Sequence, residues 1–380
     1  MDFQFAPHHE AFRRQVLAFL AGTLTAEFWA HHREHELPGW SPRFSREAAA
    51  QGLIAPSWPV QYGGLGKGVM EQTIYMEEMA YAGAPQEHHR RAVQQVGPSI
   101  MLFGDEEQRR RYLPGIAAAE LSFAMGLSEP DAGSDLANVQ TRAVRDGDEF
   151  VVNGQKKYTS GAHYSDFLWT VARTDPGAPK HRGISMMVVP LDAPGVEVQP
   201  LLDMQGRHHF NKVYLTDVRV PLDHLVGEEN RGWYVNARTM DLERSGGAHI
   251  GELRRVMDQA LQATRLAPRA PYDARLRLAD CAVAVDVTRL LAYRVAWLRE
   301  HGESPNHEVS MVKLLATETT QRIHNAVVNI AGLSGALMPC HEWDDTAGAG
   351  YIDGARATVG QGTSEIQRNV IATRGLGLPR

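Results

Sequence analysis

The stretch 139-VQTRAVRDGDEFVVNG-154 alternates: Val139, Thr141 and Ala143 fall on one side, polar residues on the other, and Asp146-Gly147-Asp148 punctuates the run. A period of two places alternate residues on opposite faces of a strand. Asp-Gly and Asn-Gly accept left-handed backbone conformations, so a turn is expected at Asp146–Asp148 and a hairpin at Asn153-Gly154. Further strand-like runs lie at 166–173, 183–191, 196–202 and 211–220, giving a β region of roughly 110 residues that begins near Leu121.

On either side the apolar spacing changes to three and four. Runs 9–24, 45–54, 69–83 and 105–120 read as helices, with the Pro- and Gly-rich PSWPVQYGGLGKG between them as a loop. After 227-GEENRGW-233 come three longer amphipathic patterns, 234–263, 273–300 and 307–332, whose polar faces carry scattered arginines, as in a helix bundle. The order helix, strand, helix defines an α+β fold with segments 1–120, 121–230 and 231–380.

A chain of 380 residues has room for two or three buried cores. Its net charge of −6, with both signs interspersed, gives no basis for nucleic-acid binding. Cys281 and Cys340 are the two cysteines, too few for a disulfide framework and in keeping with a reducing compartment. No apolar run approaches the roughly 20 residues of a bilayer span, and the first residues lack a charged-then-apolar leader, so a cytoplasmic protein is expected.

Several short motifs carry chemistry. In 126-GLSEPDAGSD-135, small and acceptor-rich residues form a tight loop whose amides can face a phosphate or a ring edge, or a plain surface turn. In 156-KKYTSGAHYSD-166, an aromatic and two hydroxyls suit a flat ring, although edge strands carry such residues routinely. In 241-DLERSGGAHIG-251, Gly246, Gly247 and Gly251 are expected inside one helix, at about 1 kcal/mol each relative to Ala. Four-residue spacing aligns Glu243, Gly247 and Gly251, a carboxylate above a stripe without side chains, which either a neighbouring helix or a ligand fills. In 359-VGQGTSEIQRNVIATRGLG-377, Ser364 and Gln367 have capping-box spacing, and Gly360 and Gly362 flank the neutral Gln361.

Other patterns are decoys. The run 31-HHREH-35 matches a zinc-helix pattern literally but reads as a solvated helix end, so no metal is expected. GGLGKG lacks the hydroxyl residue that a P-loop needs after its lysine, and no GxGxxG fingerprint occurs.

Taken together, GLSEPDAGSD, KKYTS, GLIAPSWPVQYGG, FNKVYLTDVRVPLDHLVGEENRGW and GTSEIQRNVIATRGLGLPR, in their order, resemble segments of the acyl-CoA dehydrogenase family over almost the whole chain. The resemblance implies an N-terminal helical domain, a central β-barrel domain and a C-terminal four-helix bundle. It also implies FAD bound across a subunit interface of a tetramer, and an acyl-CoA substrate oxidised to its trans-2-enoyl-CoA, with electron-transfer flavoprotein as acceptor. Carried over, the backbone around Met125, Leu127 and Ser128 meets the flavin's pyrimidine edge, and Ser134 lies near the CoA portion. Tyr158 stands where the family has Trp, and Ser160 supplies the hydroxyl near flavin N5. Asn329 and Gly332 correspond to FAD contacts from a neighbouring subunit, Thr363 and Glu365 to those at the last helix.

Two departures matter. Many members carry their catalytic Glu where this chain has Gln361, and an amide cannot accept the α-proton; the backbone N–H of Gln361 remains available to the thioester oxygen. Another branch places the base on the bundle helix, a context that Glu243 matches, with Asp241 and Arg244 as orienting or CoA-contacting neighbours. The family's pyrophosphate-binding arginine motif has no clear counterpart in 264-TRLAPRAPYDAR-275, where Arg265 or Arg269 is expected to substitute. Two alternatives accompany the dehydrogenase: a half-site subunit of a hetero-oligomer, and a flavin oxidase or monooxygenase on the same architecture.

Overall fold

The structure, a computed structural model, describes residues 4–243, 246–266, 272–337 and 346–379, with the side chains of 241–243 and 266 outside the description. In chain order, six helices come first: α1 (Pro7–Thr23), α2 (Ala26–His35), α3 (Pro42–Ala50), α4 (Val69–Tyr81), α5 (Gly97–Phe103) and α6 (Glu106–Ala117). Eight strands follow: β1 (Phe123–Gly126), β2 (Arg142–Asp146), β3 (Glu149–Ser160), β4 (Phe167–Arg173), β5 (Ile184–Pro190), β6 (Val196–Leu201), β7 (Phe210–Pro221) and β8 (Leu225–Val226). The last helices are α7 (Gly232–Glu243), α8 (Gly247–Leu266), α9 (Tyr272–Glu300), α10 (His307–Ala331), α11 (Ala347–Ala357) and α12 (Ser364–Val370). The helix, strand, helix order is therefore as the periodicity predicts. Among the described residues no helix is long and apolar enough to cross a membrane.

These elements pack into two compact units that cut across the three sequence segments: Met1–Gly39, Gly66–Pro85 and Arg244–Arg380 form one, Trp40–Leu65 and Gln86–Glu243 the other. The second unit holds the sheet, in the order β6-β7-β3-β2-β4-β5-β8, with β1 paired in parallel to β4. Its core is apolar and fully buried, with Phe150, Val152, Leu168, Met187, Val189, Val213 and Leu215 at its centre. The strand path starts at β6 and stops at β8, and these two do not pair, so the expected barrel is an open sheet.

The turn at Asp146–Asp148 joins β2 to β3, with Gly147 at φ +64°. Asn153-Gly154 is no hairpin: β3 runs straight through it, because its partner β7 bulges at this point. The Asn153 side chain bridges to that bulge, donating from Nδ2 to Asp217 Oδ1 (2.9 Å) and accepting from the Asp217 amide (2.9 Å). A Cβ on Gly154 would come within 2.6 Å of Thr141 Cα, so here the glycine serves a close backbone approach rather than a reversal.

In the first unit, α8, α9 and α10 share a core built on Leu253, Met257, Leu278, Cys281, Ala316 and Ile323. The single helix expected over 234–263 is two helices, one ending at Glu243 and one starting at Gly247, with Gly246 at φ +84°, outside the helical region. Gly247 and Gly251 lie against α4: a Cβ on Gly247 would meet Thr73 O at 2.7 Å, and one on Gly251 would meet Ala80 Cβ and the Tyr81 amide at 2.8 Å and the Glu77 carbonyl closer still. The stripe is filled by a neighbouring helix, and it lends no support to a ligand beside Glu243. Gly251→Ala should force α4 and α8 apart and cost about 1–3 kcal/mol, read as a lower chemical-denaturation midpoint with an unchanged m-value. A wild-type midpoint would show that the helices separate freely.

The same contact is reinforced by charge. The fully buried carboxylate of Glu77 accepts from Arg254 Nη1 (2.6 Å) and the Tyr293 hydroxyl, and pairs with Arg289 Nε (3.3 Å) and Arg13 Nη2 (3.7 Å). One side chain of α4 thereby links α1, α8 and α9.

Candidate functional site

The residues selected from the sequence fall into two groups, one in each unit. In the sheet unit, β1 is paired along one edge only, and the amides of half-buried Leu127 and Ser128 just beyond it donate to no other described group. Met125, in β1, is also half-buried. The Ser128 carbonyl accepts from the Lys157 amide (2.8 Å), which fastens this turn to β3.

At that point β3 itself is irregular. Lys156 pairs with Val213 and Thr159 with Asn211, so β3 carries one residue more than β7 between the two pairs. The surplus puts Tyr158 at φ +59°, an uncommon conformation for a bulky residue, and turns its side chain out of the ladder to 55% exposure. Its ring meets Phe210 edge-on (6.1 Å), with Lys157 Nζ 4.9 Å from the ring centroid. Ser160, half-buried, closes the strand. The structure thus brings Leu127, Ser128 and Tyr158 together through one backbone hydrogen bond, whereas Ser134 is exposed further along the loop.

Below this turn sits a pair that the motif reading missed. Glu129 is buried, and its carboxylate accepts from Lys156 Nζ (2.7 Å), the Gln140 amide (2.6 Å) and the Thr141 amide (3.1 Å). The Lys156 ammonium, fully buried, also donates to the Val171 carbonyl (2.8 Å). Burial works to raise the Glu129 carboxyl, but the neighbouring ammonium and the two amides hold it below its ordinary value. A lysine at an inward position of an alternating strand was the available signal.

In the helical unit, Gln361 is exposed at φ +58°, next to Gly362 at φ +89°. The expected capping box does not form: the N-cap is Thr363, one residue earlier, its hydroxyl accepting from the Ile366 amide (3.3 Å). Gln367 instead folds back, its Nε2 donating to the carbonyls of Gln361 and Gly362 (3.2 Å each). Buried Lys313 of α10 donates to the Gly362 carbonyl (2.8 Å), so this loop is held by side chains satisfying its backbone oxygens. Glu365 is exposed in the first turn of α12, where its own backbone amide and the Thr363 hydroxyl keep its carboxyl low.

Asn329 and Gly332 lie at the far end of α10. Asn329 is exposed and donates from Nδ2 to the Asn325 carbonyl (2.7 Å); Gly332 takes φ +58°. From Lys313 to Asn329 the helix advances about 24 Å, so a single chain does not bring these residues to the Gln361 loop.

The side chains of Asp241 and Glu243 and the whole of Arg244 lie outside the described residues, as does Arg269; Arg265 is exposed in α8. The zinc-like pattern resolves as expected for a helix end: His31 and His35 are exposed on α2, while buried His32 pairs with Glu36 (2.6 Å).

Comparisons with known proteins agree along the chain. Residues 6–120 match the model for the acyl-CoA dehydrogenase N-terminal domain, 124–218 that for the middle domain and 230–376 that for the C-terminal domain. The chain is 35% identical to acyl-CoA dehydrogenase FadE26 of Mycobacterium tuberculosis, covering 100% of this chain and 99% of that protein. Among solved structures, the Tcur3481-Tcur3483 steroid ACAD superposes with a TM-score of 0.89 at 34% identity, each chain covered completely. The ChsE4-ChsE5 complex from Mycobacterium tuberculosis does so with a TM-score of 0.85 at 32% identity, again over the full length of both chains.

Proposed function

The chain belongs to the acyl-CoA dehydrogenase family, and from that premise we propose that it oxidises the Cα–Cβ bond of an acyl-CoA thioester to the trans-2-enoyl-CoA with FAD as cofactor. The observation that carries the proposal for FAD is the pair of amides at Leu127 and Ser128 that meet no acceptor among the described residues, in a turn whose Ser128 carbonyl accepts from the Lys157 amide of the bulge that presents Tyr158. Two free donors beside an exposed ring suit the acceptor edge and the flat face of a flavin. FAD, when bound, supplies the acceptor for the β-hydrogen as hydride.

The chain's own residues do the rest. Glu243 removes the α-proton, with Asp241 and Arg244 as its orienting or CoA-contacting neighbours. The backbone N–H of Gln361 donates to the thioester oxygen, where negative charge develops as the proton leaves. Met125, Leu127 and Ser128 hold the ring edge, Tyr158 flanks it, Ser160 places a hydroxyl beside it, and Ser134 meets the CoA moiety. Asn329, Gly332, Thr363 and Glu365, from the helical segment 231–380, are the remaining residues assigned to the cofactor, alongside those of the β segment 121–230; none comes from the N-terminal segment 1–120.

The separation of about 24 Å along α10 supports an oligomer in which Asn329 and Gly332 serve a partner's cofactor. So does an exposed apolar face on α9, where Leu276, Val283, Val287 and Leu290 recur at seven-, four- and three-residue spacing. A homotetramer accepting acyl-CoA and passing electrons to electron-transfer flavoprotein is the first form of the proposal. The two solved relatives named for a pair of chains support a second form, a hetero-oligomer with this chain as one member.

The purified protein should be yellow and should bleach anaerobically when the right acyl-CoA is added, steroid-derived thioesters being the first to screen. Colourless protein that gains flavin only with a second chain favours the hetero-oligomer. Rapid oxygen uptake without electron-transfer flavoprotein overturns the dehydrogenase in favour of an oxidase or monooxygenase.

A further inference from the structure

Outside the set of residues assigned to the cofactor, two vicinal imidazoles share one buried carboxylate. His8 and His9 occupy the first turn of α1, immediately after Pro7, and Glu71 the first turn of α4. His8 Nε2 lies 3.7 Å from Glu71 Oε1 and His9 Nε2 3.8 Å from Oε2; the two rings stand 4.0 Å apart, and the three ligand atoms lie within 4.8 Å of one another. We propose that His8, His9 and Glu71 form a binding site for a divalent transition-metal ion of the zinc type.

The spacing is the first argument. These separations exceed the roughly 3.2 Å upper range of an ordinary N–H···O bond. They are the separations that two bonds of about 2.1 Å subtend at open angles of about 125–130°, wider than tetrahedral, with the two imidazoles facing different oxygens of the carboxylate. Charge is the second. The Glu71 side chain is only 10% exposed, and among the described residues it has no ion pair with Arg or Lys. A buried carboxylate requires compensation, and imidazoles provide it by ligating a cation or by protonating. A second carboxylate adds to the local field, since a Cβ on Gly68 would lie 2.9 Å from Glu71 Oε2 and 3.1 Å from Glu300 Oε1.

The donor set decides the ion. Two nitrogens and one carboxylate suit zinc, cobalt, nickel or copper over magnesium or calcium, which prefer oxygen. His8 is two-thirds exposed, so the open positions face water. The ion would fasten the start of α1 to α4, the helix that touches Gly247 and Gly251.

The test uses tag-free, chelator-stripped full-length protein, and because the chain has 17 histidines, a difference measurement. Equilibrium dialysis against zinc should load about one ion more per chain in wild type than in the His8→Gln/His9→Gln double variant, and zinc should raise the melting midpoint of wild type alone. Equal loading with equal midpoint shifts overturns the site. Should the double variant fold poorly, the single variant of exposed His8, His8→Gln, takes its place with cobalt(II): visible bands of a nitrogen-ligated, four- or five-coordinate ion that appear in wild type and are lost or altered in His8→Gln support the site, and identical spectra overturn it.

Discussion

Glu243→Gln should keep its flavin and its acyl-CoA affinity while losing roughly 10³-fold in the rate of anaerobic bleaching, within the range that a positioned general base contributes. The substitution removes only the ability to accept a proton, and Gln361 leaves the last loop without an alternative carboxylate at the family's commoner position. The glycine stripe plays no part in this expectation, since α4 fills it. Stopped-flow absorbance of reconstituted variant and wild type gives the answer. A variant that bleaches at the wild-type rate moves the base elsewhere, and Gln361→Glu in the Glu243→Gln background would then show whether the loop position still supports the chemistry.

Glu129→Ala should be the most damaging single change to stability, at about 3–5 kcal/mol, because it leaves the fully buried Lys156 ammonium with only the Val171 carbonyl. It also frees the Gln140 and Thr141 amides that the carboxylate holds. Since Glu129 follows directly on Leu127 and Ser128, flavin content should fall with stability. Replacing both partners, as Glu129→Leu with Lys156→Met, should recover much of the loss, for it removes the stranded charge. Denaturation midpoints and flavin-to-protein ratios of wild type and the two variants check both statements, and a double variant as unstable as Glu129→Ala would assign the cost to lost shape. The pH sign follows from the depressed carboxyl: its contribution is complete at neutral pH and is lost as pH falls below about 4.3 and through the folded-state value.

Periodicity made the order of elements readable because burial on one face writes itself directly into spacing. Strands β4 to β7 fall within two residues of the runs read from the sequence. What spacing could not convey was long-range geometry. Asn153-Gly154 has the composition of a turn, yet its glycine answers to Thr141 and its asparagine to Asp217, 64 residues away. The capping box at Ser364 and Gln367 satisfies a local rule, but Lys313 and Gln367 claim the loop carbonyls and shift the cap to Thr363. The aromatic character of Tyr158 is visible in the sequence; the extra residue that turns it outward depends on the register of β7 and has no local sign. Asn329 and the Gln361 loop look like one set of contacts in sequence, and only the length of α10 separates them.

The open sheet bears on where this chain can be divided. Strand β5 is buried along nearly its whole length, and its outer edge is covered by the two residues of β8 and a single bridge to Arg231. At the opposite end, β6 carries Pro200, which cannot donate to an added strand. A fragment cut at residue 218, where the middle-domain match stops, would keep the guarded edge and strip the other, leaving Ile184–Val189 as a bare apolar template for a second molecule. Short as it is, β8 occupies backbone groups of β5 that would otherwise be open to a second strand, so its removal should promote association of the fragment.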